Sequence, residues 1–337
     1  MLRKWQFWLG IVISVIFMYV ALLGLDLRRA LEVAAQANYW WILPGVVVYF
    51  GAVWARTWRW HYLLRPIKDV SLPRLFPVVV IGYMANNVYP ARAGELIRSF
   101  VLRQREEIAV SASLATILVE RIFDGVVMLL FVFLSLPFTP MPDWLRQVVI
   151  VGSLLFFGAL ALFLVTAANP GPALAVATWA IDRLVPERFR LPLKGMMSRF
   201  MEGLQALRSP RDVLMIFVTS VVIWLLETLK YWFVMHCFNF SVPFYVLMLM
   251  NGVVNLATTI PSSPGYVGTF DAPGIKVLQG FGVSAPIATS YTVVLHAALW
   301  LPITLMGIFY MWKESISWKE FGMATESRGQ MTTPPHS

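Results

Sequence analysis

The stretch NNVYPARAGELIRSF, residues 86–100, decides how the fold is to be interpreted. It follows the run LFPVVVIGYM at 75–84, which is apolar enough for the interior of a bilayer. A second stretch of this kind, TTIPSSPGYVGTF at 258–270, ends another apolar run. Unpaired backbone groups in hydrocarbon cost several kcal/mol each, so irregular polar chain at that depth must line a cavity that is wet or enclosed by protein. Both stretches therefore predict breaks in membrane-embedded chain.

The composition is that of a helical membrane protein with several spans. Of the 337 residues, 58% are hydrophobic and 13% are charged, whereas soluble domains carry roughly 25% charged residues. Several uncharged runs have the length of a transmembrane helix. The net charge of +9 does not indicate nucleic acid, because the basic residues flank apolar runs, as the positive-inside rule expects. The single cysteine, Cys237, excludes an internal disulfide.

The fold class expected is an all-α polytopic membrane protein in which about six helices cross completely. The first of these, uncharged from Trp5 to Leu25, is longer than a signal-peptide core and is expected to remain uncleaved. The six full spans are predicted at 5–25, 39–58, 111–136, 147–168, 212–236 and 284–312.

The distribution of Lys and Arg predicts the orientation. Of the 27 basic residues, 21 fall in the N-terminus, 56–107, 169–211 and the C-terminal tail, and three fall in the loops assigned to the other side. Both termini are therefore expected in the cytoplasm, with the chain in the cytoplasmic (inner) membrane.

Two further apolar segments agree with that orientation only as re-entrant hairpins, at 73–107 and 243–282. Each would return to the side from which it entered. The alternative is that 73–90 and 243–260 are two ordinary short spans.

The order of elements repeats along the chain. The unit 39–136 contains the first hairpin and the unit 212–312 contains the second, and the two units begin on opposite sides, which is typical of an inverted repeat. Matching positions are Gly82, Pro90, Gly94 and Ser111 in one unit, and Gly252, Pro261, Gly265 and Ser284 in the other. A single membrane domain at 1–320 is expected.

The remaining segments are a linker and a tail. The linker 169–211 contains an amphipathic helix at 193–207, which lies either in the inner headgroup layer or on the protein's own surface. The tail 321–337 is polar and is expected to be disordered.

The hairpin tips are the candidate binding site. Pro90 and Pro261 stop helices, and a helix beginning near Gly94 would direct free N–H groups at the break, where an anion binds readily. Arg92 and Arg98 either grip a phosphate bidentately or act only as positive-inside anchors. The predicted substrate-binding residues are Asn86, Asn87, Arg92, Gly94, Glu95, Arg98, Ser262, Ser263, Pro264 and Gly265.

A second set of candidate residues is ionisable and lies within predicted spans: Glu120, Arg121, Asp124, Glu227, Lys230 and His296. Such groups are costly in a membrane and by default functional. The alternative is that they pair with one another, with Arg121 bonded to Glu120 or Glu227. A role in proton transfer stays open for Glu120, Asp124 and His296. No P-loop, HExxH or GxSxG motif is present, so no catalytic residue, metal or cofactor is predicted.

Several motifs carry a family resemblance that covers about residues 10–312. GYMANNVYPARAGELIRSFVLRQRE, SASLATILVERIFDG, PSSPGYVGTFDA and LHAALWLP resemble the flippase-like membrane domain of the lysylphosphatidylglycerol synthases. The matching positions are Asn87, Arg92, Gly94, Glu95, Glu120, Arg121, Asp124, Pro264, Gly265 and Gly268, and Tyr266 departs from the family's usual P-G-G-x-G. The resemblance implies a stand-alone lipid-handling domain without the aminoacyl-transferase half.

These observations together favour a lipid translocase for an anionic or modified headgroup, without enzymatic activity. The expected partners are phospholipids, glycolipids or polyprenyl-linked lipids, with a homodimer left open. Two alternatives remain. One is an intramembrane lipid-phosphate enzyme in which Glu120 and Asp124 bind a metal. The other is a non-catalytic partner of a lipid- or glycolipid-modifying enzyme.

Overall fold

The computed structural model describes residues 27–89, 93–135, 170–259 and 263–314, together with isolated helical positions between 12 and 19 and between 138 and 165. Most of the predicted spans 5–25 and 147–168, and the whole of the tail 321–337, lie outside the described residues. Arg92 and Ser262, two of the predicted binding residues, also lie outside them.

The described part of the chain is helical and contains no β-strand. Eleven α-helices of nine or more residues are found there: α1 Leu27–Ala35, α2 Ile42–Leu64, α3 Leu72–Val88, α4 Gly94–Glu106, α5 Val110–Ser135, α6 Pro170–Leu184, α7 Glu187–Gly203, α8 Pro210–Met235, α9 Phe244–Ala257, α10 Asp271–Gly280 and α11 Ala285–Lys313.

Four of these helices are long enough to cross a bilayer. Helices α2, α5, α8 and α11 have 23, 26, 26 and 29 residues, and about 20 residues span the hydrocarbon. Within the described residues, α8 and α11 are also apolar enough to qualify by composition alone. Helix α5 carries three charged side chains near its middle, so its burial in a membrane depends on where those charges point.

Helices α2–α5 and α8–α11 form two groups with the same packing order. In each group the first helix packs on the second and fourth, the second on the third, and the third on the fourth. Contacts between the groups are also reciprocal. The two first helices, α2 and α8, pack on each other. Helix α3 packs on α11, and its counterpart α9 packs on α5. Helix α2 also packs on α11, and its counterpart α8 also packs on α5.

Polar contacts identify the two ends of the molecule. At the first, which we call the Lys68 end, Lys68 Nζ lies 2.9 Å from Glu106 Oε2, and Arg105 Nη2 lies 2.5 Å from Glu314 Oε2. The end of α2, the end of α4 and the end of α11 therefore meet there.

The opposite end, which we call the Asn38 end, brings together the start of α2 and the ends of α5 and α8. The Asn38 amide donates to the Cys237 carbonyl at 2.8 Å, and Ser135 Oγ donates to the Tyr245 carbonyl at 3.3 Å. Ser290 Oγ, near the start of α11, donates to the Ala30 carbonyl of α1 at 2.5 Å.

The two short-helix pairs enter the bundle from opposite ends. Helices α3 and α4 begin and finish at the Lys68 end, whereas α9 and α10 begin and finish at the Asn38 end. Their inner ends face each other, since α3 packs on the turn Pro264–Tyr266 that lies between α9 and α10. Whether these pairs are re-entrant hairpins within a bilayer stays a prediction.

The first hairpin is held together by very close helix packing. A Cβ atom on Gly94 would lie 2.0 Å from the Gly82 carbonyl oxygen, so only glycine permits this approach of α4 to α3. A Cβ atom on Gly307 would likewise lie 2.2 Å from Met84 Cβ, which places α11 directly against α3. Helix α3 is therefore packed closely between α4 and α11.

The segment 170–208 packs partly on the protein itself. Helix α7 contacts α5, and a Cβ atom on Gly203 would lie 2.3 Å from the Ala112 carbonyl oxygen. Leu204 and Leu207 are buried, whereas Met196 is 47% exposed. Of the two interpretations of the amphipathic stretch 193–207, packing on the protein's own surface accounts for its C-terminal half.

Candidate functional site

A network of buried ion pairs connects four helices at the centre of the molecule. Arg59 of α2 has a fully buried side chain, and its Nη1 donates to Asp124 Oδ1 and to Ser220 Oγ, at 2.7 Å each. Glu120 accepts a hydrogen bond from Arg98 of α4. Buried charges persist in proteins only when they are paired and hydrogen-bonded. This network therefore explains how α5 can carry the buried carboxylates Glu120 and Asp124.

A second buried cluster joins α2 to α8. Glu227 bonds to both Arg56 and Lys230, so one carboxylate faces two cations. Lys230 Nζ lies 4.3 Å from the centre of the Tyr49 ring, and the Arg56 guanidinium carbon lies 5.5 Å from that of Tyr83. The negative face of each ring attracts the cation above it, so the two rings partly compensate for the absence of a second carboxylate in this cluster.

The predicted residues of the first hairpin have divided roles. Asn86 Oδ1 accepts from the Gly94 amide at 2.8 Å, so it caps the start of α4 and occupies one of the N–H groups predicted to be free. Asn87 Nδ2 donates to Thr304 Oγ1 at 2.9 Å. Glu95 lies 3.6 Å from Arg121 Nε. Asn86 and Asn87 thus stabilise the tip while lining the cavity described below.

The tip of the second hairpin is organised by His296. Its Nδ1 lies 2.9 Å from Asp271 Oδ1, and its Nε2 lies 2.7 Å from the Gly265 carbonyl oxygen. Gly265 has a φ of +75°, a conformation that glycine adopts without strain. Ser263 precedes this turn and Pro264 begins it. The Gly265 carbonyl oxygen is the group that His296 contacts at the tip.

The two hairpins share one feature of sequence and geometry. The short helix of each begins with a carboxylate in its first turn, Glu95 in α4 and Asp271 in α10. Each carboxylate meets a basic side chain of the long helix that follows, Arg121 of α5 and His296 of α11. Arg121 and His296 both line the central cavity described next.

A central cavity of about 150 Å³ lies between the hairpin tips. Its ionisable lining groups are Arg56, Arg121, Glu227, Lys230 and His296. Amide and hydroxyl groups come from both units: Asn86 and Asn87 of α3, and Asn255 and Thr258 at the end of α9. The rest of the wall is largely aromatic, with Tyr49, Tyr83, Trp224, Tyr266, Phe270 and Trp300.

The charges of the cavity wall favour an anion. Three cationic side chains and one carboxylate line the wall, whereas Glu95 and Asp124, the partners of Arg121, do not line it. The Arg121 side chain is 34% exposed, more than any other residue of the network, including Glu95 at 29%. Arg121 is therefore the cation best placed to bind a ligand.

Several buried polar atoms in this region lack hydrogen-bond partners within the described part of the chain. They are Nε of Arg56, Arg59, Arg98 and Arg121, and Oε1 of Glu120. Buried groups of this kind are nearly always paired in proteins, with water where no protein group is available. Their concentration in the network is consistent with a hydrated centre.

The partners predicted for Arg121 were wrong. It pairs with Glu95 and with Asp124, the latter at 3.3 Å, and not with Glu120 or Glu227. Glu227 and Asp124 pair instead with Arg56 and Arg59, whose sequence signal was two arginines three residues apart in an apolar run. The count of Lys and Arg had placed both, together with Arg98, among the cytoplasmic anchors, but all three are buried.

Trp60 packs inside the bundle beside the buried network. It is fully buried, its Nε1 donates to Thr116 Oγ1 at 3.0 Å, and its ring lies 4.1 Å from the Arg98 guanidinium carbon. Asp271 and Asn255 were not singled out from the sequence, because a lone Asp or Asn near a predicted break has no distinguishing pattern.

Comparison with known families decides the classification. The family described as "Lysylphosphatidylglycerol synthase TM region" matches residues 7–307. The chain belongs to this family. The match includes all the helices that line the central cavity, and the resemblance expected from the sequence motifs is confirmed.

The curated relatives of this lysylphosphatidylglycerol synthase TM family member are mostly membrane proteins of similar length. A UPF0104 membrane protein of Methanothermobacter thermautotrophicus is 22% identical over 312 residues, covering 88% of this chain and 92% of the relative. Another from the same organism is 26% identical over 305 residues, covering 84% and 85%. Glycosyltransferase AglD of Haloferax volcanii is 23% identical over 336 residues, with 52% of its own length covered. No solved structure matches.

Proposed function

We propose that this protein is a lipid translocase of the cytoplasmic membrane, and that the central cavity binds the headgroup of an anionic or modified lipid. The observation that carries the proposal is the cavity itself. It lies between the tips of two oppositely directed hairpins, and its wall holds Arg56, Arg121 and Lys230 against the single carboxylate of Glu227. A phosphate-bearing headgroup would accept charge-assisted hydrogen bonds from these cations.

The proposed membrane arrangement has six full spans, two re-entrant hairpins and both termini in the cytoplasm. The opposite entry of the α3–α4 and α9–α10 pairs, and their matching packing, support an inverted repeat. The basic residues Lys68, Arg74, Arg103 and Arg105 support a cytoplasmic position for the Lys68 end. Arg56, Arg59 and Arg98 do not indicate orientation, because they are buried inside the protein.

The reciprocal packing of the two groups suggests how the site would alternate between leaflets. Each group carries one hairpin, and each hairpin closes the cavity toward one end of the molecule. Rocking of α2–α5 against α8–α11 would open one hairpin while the other stays closed. The Glu95–Arg121 and Asp271–His296 pairs each lie within one group and would move with it, whereas the hydrogen bond from Asn87 to Thr304 joins the two groups and would change.

The experiment is lipid translocation in reconstituted liposomes that contain fluorescent phospholipids or polyprenyl phosphates. We expect faster transfer between leaflets than in protein-free vesicles. We expect Arg121→Gln to slow it about 10-fold to 100-fold, since a hydrogen bond to a charged group contributes about 1.5–3 kcal/mol. Arg28→Gln, at a pair exposed on α1, is the matched control and should leave the rate unchanged. No acceleration by the unaltered protein with any of these lipids would contradict the proposal.

A non-catalytic partnership with a lipid-modifying enzyme is a second candidate. It is favoured by the match to about half of a longer protein named glycosyltransferase. Co-purification of such an enzyme, together with an absence of translocation by the chain alone, would support this candidate. The lipid-phosphate enzyme is less favoured, because Arg59 and Arg98 bond the carboxylates of Asp124 and Glu120 that were to bind its metal.

A further inference from the structure

A second cavity lies beside the central one, on the outer face of α11. It has a volume of about 560 Å³ and is bounded by α11, the end of α3 and the turn that begins at Pro264. On α11 it is lined by Val293, Ala297 and Trp300, which are four and three residues apart and so share one face of the helix. We call it the side cavity.

The side cavity and the central cavity share a neck. Asn87, Gly265, His296 and Trp300 line both. The Trp300 ring packs against Gly265, where a Cβ atom would lie 3.0 Å from Trp300 Nε1. The Trp300 carbonyl accepts from Asn87 Nδ2 at 3.3 Å. Tryptophan suits a boundary at which one side is apolar and the other is polar.

The two cavities differ in chemistry. No permanent cation lines the side cavity among the described residues, and its charged groups, Asp271 and His296, are bonded to each other at the neck. Away from the neck its wall is apolar, and Val293, Val267 and Trp300 are 52%, 43% and 36% exposed on the outside of the bundle. The side cavity therefore suits hydrocarbon, whereas the central cavity suits an anion.

We propose that the side cavity binds the hydrocarbon adjoining the headgroup of a phosphate-bearing lipid, and that the chain passes to the bilayer between α11 and the second hairpin. This inference rests on the proposed function and specifies its substrate class. The ligand is an amphiphile with a phosphate in the central cavity, its linkage beside Trp300 and its chain against Val293 and Ala297. A fully water-soluble phosphate compound would leave the side cavity empty.

The volume of the central cavity limits the headgroup. With a volume of about 150 Å³, the cavity suits one phosphate with a small substituent. Both a diacyl phospholipid and a polyprenyl phosphate satisfy this chemistry, so the experiment must separate them.

The test is photocrosslinking of the purified protein in nanodiscs. One probe is phosphatidic acid with a diazirine in its acyl chain, and the other is a prenyl phosphate with a diazirine in its chain. We expect label on peptides that contain 264–267 and 293–300, and the probe that labels more strongly identifies the source of the chain. Equal labelling of exposed α11 residues outside the side cavity, such as Leu305 and Ile308, would overturn the proposal.

Matched variants on α11 make the test independent of the label pattern. Val293→Trp and Ala297→Trp fill the side cavity, whereas Leu301→Trp enlarges an exposed apolar side chain that lines neither cavity. We expect crosslinking to fall about tenfold in the first two variants and to be unchanged in the third. All three positions are exposed, so failure to fold is not the expected cause of a loss.

Binding of glycerol 3-phosphate separates the failure of this inference from that of the proposed function. It should be retained in Val293→Trp, because the central cavity is untouched, and should weaken in Arg121→Gln. Unchanged crosslinking in both tryptophan variants would overturn the chain path while leaving translocation standing. If the unaltered protein does not translocate lipid, the proposed function is overturned instead. The crosslinks would still show where a lipid chain binds.

Discussion

At the scale of single residues, the sequence singled out most of the charged groups that meet at the centre of the molecule, but it did not identify their partners. Glu120, Arg121, Asp124, Glu227 and Lys230 stand out because ionisable groups in apolar runs are expensive. Their partners depend on which helix packs beside them, and nothing local in the sequence specifies that α2 lies between α5 and α8.

The buried network makes a prediction about Arg59, whose side chain is fully buried. Arg59→Gln leaves Asp124 and Glu120 with one fewer cation, and we expect the free energy of unfolding in detergent to fall by about 3 kcal/mol. Arg28→Gln removes a pair whose side chains are 90% and 59% exposed, and should change it little. Equal effects of the two substitutions, measured by denaturant titration, would show that the network does not stabilise the fold.

At the scale of helices and hairpins, the sequence located the elements well. The hairpin predicted at 73–107 corresponds to α3 and α4, and the one at 243–282 corresponds to α9 and α10. Proline and glycine interrupt apolar runs there, and such breaks are local signals. The depth at which the tips meet could not be read from the sequence, because it depends on the close packing of α3 against α4 and α11.

That packing predicts the effect of a single methyl group. In Gly94→Ala the new Cβ would lie 2.0 Å from the Gly82 carbonyl oxygen, so α3 and α4 must separate. We expect a loss of about 1–3 kcal/mol in the free energy of unfolding. Gly51→Ala on α2 is the control, since nothing lies within 4 Å of its Cβ position. A loss no greater than that of Gly51→Ala would refute the close approach.

Side-specific cysteine labelling tests how the first hairpin sits in the membrane. The native Cys237 is buried, and burial raises the pKa of its thiol to about 11. It therefore stays protonated and unreactive at neutral pH. Cysteines at the exposed positions Asp69 and Gln104 should react from the cytoplasmic side, and a cysteine at Gln36 from the other side. Reaction at Gln104 from the outer side would indicate an ordinary span at 73–90.

At the scale of the whole molecule, the two groups of helices resemble each other in packing order more than in their residues. Helices α2–α5 and α8–α11 pack in the same order and interlock reciprocally, although few residues match between them. Helix order matters because it determines which faces are buried. The chemistry of the two groups differs, since Arg121 meets Glu95 in one and His296 meets Asp271 in the other.

The measurement that tests the central claim most directly is the hydration of the cavity between the hairpin tips. Asn255→Cys places a thiol on the cavity wall, and Leu301→Cys places one on the exposed outer face of α11. In proteoliposomes, a membrane-impermeant charged thiol reagent should modify Asn255→Cys at neutral pH and leave Leu301→Cys unmodified. If Asn255→Cys is as unreactive as Leu301→Cys, no water-filled chamber joins the two hairpins, and the headgroup site does not exist.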